Sequence, residues 1–161
     1  MLWFEKNYPD ALYMDKTPRS KRSSSHRPNW CCVPDIVADF RKMPFQENTF
    51  DLVVFDPPHA NISLTSQIGI EYGSLNGLAE VRDGFHECMR VVRPRGVVIF
   101  KWADVKYSVR EVLDAIDYLP LFGHTTGKSG KTKWLCFIKE NDLEKPTLTK
   151  SIDDYIKNGG S

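Results

Sequence analysis

Four short apolar segments constrain the fold of this chain more than any other feature. They are rich in β-branched and aromatic residues, and each is bounded by turn or helix signals: ALYMD (11–15), DIVADF (35–40), FDLVVFD (50–56) and GVVIFKW (96–102). Short runs with so little polar interruption are typical of strands that are buried on both faces of a parallel sheet. We therefore interpret them as the strands of one sheet.

Helical patterns lie between and after these strands. Apolar residues recur at three- and four-residue spacing from Leu75 to Val92, where Pro94 and Gly96 mark the end of the helix, and again from Val109 to Ile116. A β pair follows, YLPLFGH (118–124) and TKWLCFIKE (132–140). This order predicts an α/β fold: a Rossmann-like, doubly wound, mostly parallel sheet with a C-terminal antiparallel strand pair.

The length and composition of the chain indicate one globular unit. A chain of 161 residues with 41% hydrophobic residues can bury one substantial core, so we expect a domain over residues 1–140 and a polar C-terminal tail over 141–161. No signal peptide precedes the first apolar segment, and no run approaches the roughly 20 apolar residues of a membrane span. We expect a cytoplasmic protein with no membrane partner.

The cysteines do not have the spacing of a metal site. Cys31, Cys32, Cys88 and Cys136 form neither a CxxC pair nor a Cys/His set with zinc spacing. We interpret them as reduced thiols with packing roles and predict no metal.

Charge is balanced overall but concentrated in one loop. Basic and acidic residues number 22 and 21, yet KTPRSKRSSSHR (16–27) contains no acid. A basic loop over residues 16–30 would suit phosphate contacts through Arg19, Lys21 and Arg22. A solvated loop that is merely charged explains the same residues equally well.

Three acids stand where predicted strands end. Asp15 follows the first strand, Asp39 lies near the end of the second, and Asp56 ends the third. Ligands of open α/β sheets bind at the carboxyl ends of the strands. There Asp15 is placed to accept hydrogen bonds from ribose hydroxyls, and Asp39 is placed to accept them from an exocyclic amine. Helix capping explains any one of these acids, but three in register favour a nucleoside crevice.

The sequence DPPH (56–59) has its own chemical logic. Proline cannot continue a central strand, so Pro57 and Pro58 direct the chain out of the sheet and stiffen the loop. Residue 58 has no N–H, which leaves the carbonyl of Pro57 without a local donor. A carboxylate and a carbonyl held side by side would accept both hydrogens of an NH2 group and aim the nitrogen lone pair at an electrophile. His59 would then lie against a base or donate to it.

These segments resemble a known family. DPPH resembles the D/N-P-P-Y/F/W motif of class I S-adenosylmethionine-dependent amino-methyltransferases. DFRKMPFQENTFDLVVFDPPH (39–59) is similar to the connection and strand that lead to that motif, and FHECMRVVRPRGVVIFKW (85–102) is similar to the helix-to-strand passage that follows it. The resemblance is specific from about Ile36 to Trp102.

The resemblance implies roles for individual residues. Asp15 would bind the ribose hydroxyls of S-adenosylmethionine, and Asp39 with the backbone at Phe40 would hold its adenine. Asp56, Pro57, Pro58 and His59 would form the amine site, with Asp56 also beside the cofactor. The methyl sulfonium is already an activated electrophile, so proximity and alignment would supply most of the catalysis.

Two departures from the family pattern bear on these roles. The family's first strand leads into a glycine-rich loop, but this chain has no glycine before Gly69. Either the fold starts late or it is truncated at its N-terminus, in which case a homo-oligomer or a partner chain would complete it. His59 also stands where Tyr, Phe or Trp is usual, and imidazole stacks less extensively on a base.

The substrate is the least determined part of the prediction. Lys101 at a strand end and Tyr72 in the loop after DPPH are candidate substrate contacts, and the basic loop favours nucleic acid. We expect transfer to adenine N6 of DNA, with a base in RNA as the next choice. The alternatives are a catalytically silent methyltransferase-like domain that binds nucleic acid or completes a partner enzyme, and an N-methyltransferase for small molecules or protein side chains.

Overall fold

The computed structural model describes residues 8–18, 33–66, 69, 73–127 and 130–140. These residues fall into two compact units, one within residues 1–44 and one within residues 45–161. Arg19, Lys21, Arg22 and Tyr72 lie outside the described residues, as does the predicted tail over 141–161. The roles of these residues and the boundary at residue 140 stay predictions.

The first unit contains a two-stranded parallel sheet. Strand β1 is Met14–Asp15 and strand β2 is Ile36–Val37, with Asp15 opposite Val37. Both are shorter than predicted, and side chains bind the backbone on either side of β1. The Tyr13 N–H donates to Asp35 Oδ2 before β1, and the Thr17 N–H donates to Asp15 Oδ1 just after it.

The second unit contains a four-stranded sheet in the order β3-β4-β6-β5. Its strands are β3 (Phe50–Phe55), β4 (Val92–Ala103), β5 (Phe122–Thr126) and β6 (Thr132–Ile138). β3 and β4 are parallel, whereas β6 is antiparallel to both β4 and β5. The α/β class and the C-terminal antiparallel pair are confirmed, and β6 lies between β4 and β5.

Two helices cover one face of this sheet. Helix α1 (Leu78–Val91) connects β3 to β4 and buries Val81, Phe85 and Cys88, and Phe85 lies edge-on to Phe137 of β6. Helix α2 (Val109–Ile116) begins at a capping box, in which Ser108 and Glu111 satisfy each other's backbone N–H. Both helices lie where the periodicity predicts them.

The burial of β4 alternates along the strand and shows which face the helices cover. Val98, Phe100 and Trp102 are fully buried, and Phe85 of α1 packs on Phe100 with ring centroids 5.9 Å apart. The residues between them, including Ile99 and Lys101, point to the other face and are only partly buried. Trp102 is therefore a core residue.

β4 starts earlier than predicted, at Val92 instead of Gly96. Its pairing with β3 is irregular between Phe50 and Leu52, so the residues before Gly96 bulge from the ladder. A Cβ at Gly96 would lie 2.6 Å from Val92 Cγ2 and 2.9 Å from the Asp51 carbonyl oxygen. This close approach explains the glycine at the start of the regular strand.

Two cysteines of the second unit are free and buried, Cys88 in α1 and Cys136 in β6. Burial raises the pKa of the Cys136 thiol, which suits the packing role predicted for it. Within the described ranges, no helix is long and apolar enough to cross a membrane.

Candidate functional site

The DPPH loop begins where β3 ends against the core. Phe55 stacks on Phe100 of the neighbouring strand with ring centroids 5.3 Å apart, which fixes the position of the last strand residue. Asp56 follows at the carboxyl end of the strand, and Pro57 is buried directly after it. The sheet therefore presents the carboxylate at the predicted position, on a backbone held by packing on both sides.

The segment that follows ties the loop down. The Leu75 N–H donates to the Ala60 carbonyl at 2.9 Å, and the Ile62 N–H donates to Ser74 Oγ at 3.0 Å. Gly73 has a positive φ of 78°, and a Cβ there would lie 3.1 Å from Pro58 Cγ. A glycine is thus needed where the returning chain crosses Pro58.

Asp56 is contacted by two cationic or polar side chains. Lys101 Nζ donates to Asp56 Oδ2 at 2.8 Å, and His59 Nε2 lies 3.3 Å from Asp56 Oδ1. Burial raises the pKa of Asp56, but the hydrogen bonds from His59 and Lys101 lower it by more, so its pKa lies below its ordinary value. The carboxyl is ionised at neutral pH and can only accept hydrogen bonds.

His59 faces the interior of the site. Its ring lies edge-on to Trp102, with centroids 5.2 Å apart and an interplanar angle of 84°, and Trp102 Nε1–H donates to the Tyr107 carbonyl. His59 Nδ1 is buried and has no hydrogen-bond partner among the residues that the structure describes. In this structure the imidazole therefore contacts Asp56 through Nε2 while its ring packs against Trp102.

Asp56 has room for a ligand. A carboxylate offers about four lone-pair sites, and only Lys101 and His59 contact it within the described part of the chain. No described residue donates to the Pro57 carbonyl next to it. Within the described residues, the Asp56 carboxylate and the Pro57 carbonyl that follows it in sequence therefore both keep acceptor sites open, and their joint grip on one amine stays a prediction.

The first unit brings the other two acids together. Asp15 ends β1, and Asp39 lies two residues beyond β2 at the same end of the parallel pair. Lys16, next to Asp15, lies with its Nζ 3.1 Å from Asp39 Oδ2. Phe40 begins a turn in which the Lys42 N–H donates to the Asp39 carbonyl. That these acids share one crevice with Asp56 stays a prediction.

The Asp39 carboxylate is fully engaged. Arg41 donates to Oδ1 from its backbone N–H at 3.0 Å and from Nε at 2.9 Å, and to Oδ2 from Nη2 at 2.6 Å. With Lys16, four donors fill about four lone-pair sites. The hydrogen bonds from Arg41 hold the pKa of Asp39 well below its usual range. An adenine amine would reach this carboxylate only by displacing a donor, and Lys16, the more exposed, is the easier to displace.

Sequence reasoning missed the partners of these acids. Arg41 lies two residues after Asp39, a spacing at which a turn brings the two side chains together. Lys101 was singled out as a substrate contact, but its pairing with Asp56 follows from the register of β3 and β4, which sets Phe55 beside Phe100. A strand alignment of the two segments would have found that pair.

Two further features bear on what the site can hold. A recess of about 410 Å³ lies at the amino ends of β1 and β2, lined by residues that include Tyr13, Val33 and Asp35, but by none of the predicted site residues. Over the described ranges, no group of three or more His, Cys, Asp or Glu side chains could hold a metal ion.

Comparison with known proteins gives only distant structural matches. No family model matches the chain, and no curated protein matches it. Among the solved structures, 13 chains match. The PH0226 protein from Pyrococcus horikoshii OT3 is 14% identical, with a TM-score of 0.45, over 73% of this chain and 63% of that one.

Two other matches are of the same quality. TTHA0409 from Thermus thermophilus, assigned as a DNA modification methylase, is 20% identical over 68% of this chain and 55% of its own, with a TM-score of 0.44. The [4+2]-cyclase SpnF is 15% identical over 72% and 57%, with a TM-score of 0.41. This chain spans less than two thirds of each match, and TM-scores this low assign neither an activity nor a substrate.

Proposed function

We propose that this chain takes part in methyl transfer from S-adenosylmethionine to an exocyclic amine, with adenine N6 of DNA as the first candidate and a base in RNA as the second. The observation that carries the proposal is the acceptor pair at the end of β3: the ionised Asp56 with unfilled lone-pair sites, beside the Pro57 carbonyl. A rigid loop with this pair is suited to hold an NH2 group.

The residues of the loop would position the amine. Asp56 and the Pro57 carbonyl would each accept one hydrogen of the NH2 group, which turns the nitrogen lone pair out of the ring conjugation. Pro58, packed under Gly73, keeps the two acceptors in place. His59 would keep the Asp56 carboxylate in its orientation through the contact of its Nε2 with Oδ1. The proton that the nitrogen loses on methylation would pass to Asp56 or to solvent.

The first unit would hold the methyl donor. S-adenosylmethionine, when bound, supplies a methyl group on a positive sulfur that needs alignment more than activation. Asp15 at the end of β1 fits a contact to ribose hydroxyls, and the backbone at Phe40 fits a contact to adenine. The Asp39 carboxylate would accept the adenine amine only after Lys16 has left it, because its acceptor sites are filled.

A second candidate function rests on the Lys101 contact. The ammonium of Lys101 already makes a charge-assisted hydrogen bond to Asp56, and such bonds are roughly twice as strong as neutral ones. A structural ion pair would give the acid a role without catalysis. This favours, as the alternative, a silent methyltransferase-like domain that binds nucleic acid or completes a partner enzyme.

Calorimetric titration with S-adenosylmethionine, or with its demethylated product, separates the two candidates. The enzyme proposal predicts saturable binding by the folded chain, whereas the silent domain predicts none. If a sample with native circular dichroism releases no binding heat at several temperatures, the enzyme proposal is wrong for this chain on its own.

Transfer of a labelled methyl group then ranks the acceptors. Incubation of the chain and labelled cofactor with DNA, RNA and a protein extract is expected to label DNA most. Label in the protein fraction alone would instead assign the amine to a protein side chain.

A further inference from the structure

One row of side chains crosses the whole second sheet beside the amine site. Lys101 of β4 pairs with Trp134 of β6, and Trp134 pairs with His124 of β5. Asp56 directly follows the Phe55 that pairs with Phe100, and therefore stands beside Lys101. We call these four residues the cross-sheet row: Asp56, Lys101, Trp134 and His124. Neighbouring strands are about 4.8 Å apart, so the row extends the amine site by several strand spacings.

The cross-sheet row lies on the face of the sheet opposite to the one that α1 and α2 cover. Side chains alternate along β4, and Phe100 and Trp102 on either side of Lys101 are buried on the helix face. Lys101 and Trp134 are partly exposed, and His124 is exposed. A ligand held at Asp56 would therefore find the rest of the row accessible.

The row also differs from the one beneath it. That adjacent row contains only Val54, Ile99, Cys136 and Phe122, without a charge or a hydrogen-bonding group apart from the thiol. The face thus changes from apolar to charged and polar at the level of the amine site. Packing alone explains the apolar row, but it does not require a lysine and a histidine on either side of a tryptophan.

The contacts within the row suit a nucleotide. Lys101 Nζ lies 2.8 Å from Asp56 Oδ2 and 6.0 Å from the centroid of the Trp134 ring. An ammonium has three donors, and the contact to Asp56 uses one of them. The ammonium thus lies over the Trp134 ring, and an aromatic ring next to a cation is the combination that binds a base and its phosphate in single-stranded nucleic acid.

We propose that the cross-sheet row binds a single-stranded or flipped-out stretch of nucleic acid, with the target amine at Asp56, a phosphate on Lys101 and a neighbouring base stacked on Trp134. His124 contacts the same stretch at the far side of the ring. The assignment of the target amine rests on the function proposed above, whereas Lys101 and Trp134 would bind the strand whether or not methyl is transferred.

Fluorescence anisotropy of a labelled single-stranded DNA oligonucleotide, titrated with the full chain, tests this inference. Trp134→Leu is expected to weaken binding about tenfold or more, because it removes one stacked base. Trp134→Phe keeps a ring and is expected to stay close to wild type. Lys101→Met is expected to reduce the slope of log affinity against log salt by about 0.7, the value for one phosphate contact on a single strand.

Two variants of the same sheet serve as matched controls. Phe122→Leu changes an aromatic residue on the same face, 61% exposed but in the apolar row. Lys133→Met removes a lysine that points to the other face of β6 and donates to Thr125 Oγ1 and the Gly130 carbonyl. Both are expected to bind the oligonucleotide as wild type does. Equal losses in Trp134→Leu and Phe122→Leu, or in Lys101→Met and Lys133→Met, would overturn the inference.

The outcomes also separate this inference from the proposed function. If oligonucleotide binding depends on the cross-sheet row but S-adenosylmethionine does not bind, the proposed methyl transfer is wrong and the inference about the row stands. If Trp134→Leu leaves methyl transfer unaffected, the inference about the row is wrong and the proposed methyl transfer stands. If Trp134→Leu fails to fold by circular dichroism, Trp134→Phe with Lys101→Met still decides, because loss of binding in the first or an unchanged salt slope in the second contradicts the inference.

Discussion

Asp39 and Asp56 both follow a parallel strand and both have a lowered pKa, but they differ in what they can still bind. Asp39 accepts from four donors, three of them on Arg41, which fill about all of its lone-pair sites. Asp56 is contacted by only two donors within the described residues, one from β4 and one from its own loop. The acceptor sites of Asp39 are therefore filled, whereas about half of the acceptor sites of Asp56 are unfilled.

The difference shows that a lowered pKa alone does not identify a ligand site. Asp39 owes its low pKa mainly to a neighbour in its own turn, as a purely structural ion pair would. Asp56 owes it to His59 and Lys101, which leave room for two more hydrogens. The number of unfilled acceptor sites is therefore the better guide to function, and it favours Asp56.

Between the partners of the two acids, the largest expected contrast is in the affinity for S-adenosylmethionine. If Asp39 contacts adenine once Lys16 has left, Lys16→Met is expected to raise the affinity for S-adenosylmethionine by several fold, because no ion pair must then be broken. Lys101→Met is expected to leave that affinity unchanged. Calorimetric titration of both variants measures the contrast, and unchanged affinity in Lys16→Met would limit the adenine contact to the backbone at Phe40.

Stability is expected to respond more to the partner of Asp39 than to the partner of Asp56. Arg41→Ala removes the guanidinium donors and is expected to lower the free energy of unfolding by about 1 kcal/mol. Lys101→Met removes a single contact at a partly exposed pair and is expected to cost about 0.5 kcal/mol or less. Urea denaturation gives both values. A larger loss in Lys101→Met would make the Asp56 pair structural and support the silent domain.

The smallest effect concerns acid. Both carboxyls have folded-state pKa values below their unfolded values, so the stability that they contribute is present above about pH 4 and is lost as the pH falls through the folded pKa. Below pH 4 the free energy of unfolding of Asp39→Asn is therefore expected to fall less steeply with decreasing pH than that of the wild type. The difference in slope is at most the contribution of one titrating proton. Asp56→Asn is expected to change that slope less, and the reverse order would contradict the comparison.

The sequence predicted the elements whose signals are local. Helix α2 was expected from Val109 to Ile116 and is found there, and Asp56 was expected at the end of β3 and is found just after it. β1 is shorter than predicted, and Asp35 and Asp15 bind backbone N–H groups on either side of it, a competition that apolar patterning does not register.

The contacts of the candidate site were less predictable because they depend on tertiary register. Lys101 is 45 residues from Asp56 in sequence, and only the alignment of β3 with β4 brings them within 2.8 Å. The cross-sheet row depends in addition on β6 lying between β4 and β5, which sets Trp134 beside Lys101. A strand order of this kind cannot be read from a motif.

Transfer of labelled methyl from S-adenosylmethionine to DNA, compared between the wild-type chain and Asp56→Ala, tests the role of Asp56 most directly. The wild type is expected to label DNA, and Asp56→Ala is expected to lose at least about 100-fold in rate because the amine is no longer aligned. Calorimetric affinity for the cofactor is expected to stay within about twofold, since the alanine removes an amine contact and not the ribose or adenine contacts. A variant that transfers methyl at the wild-type rate would contradict the assignment of the amine to Asp56.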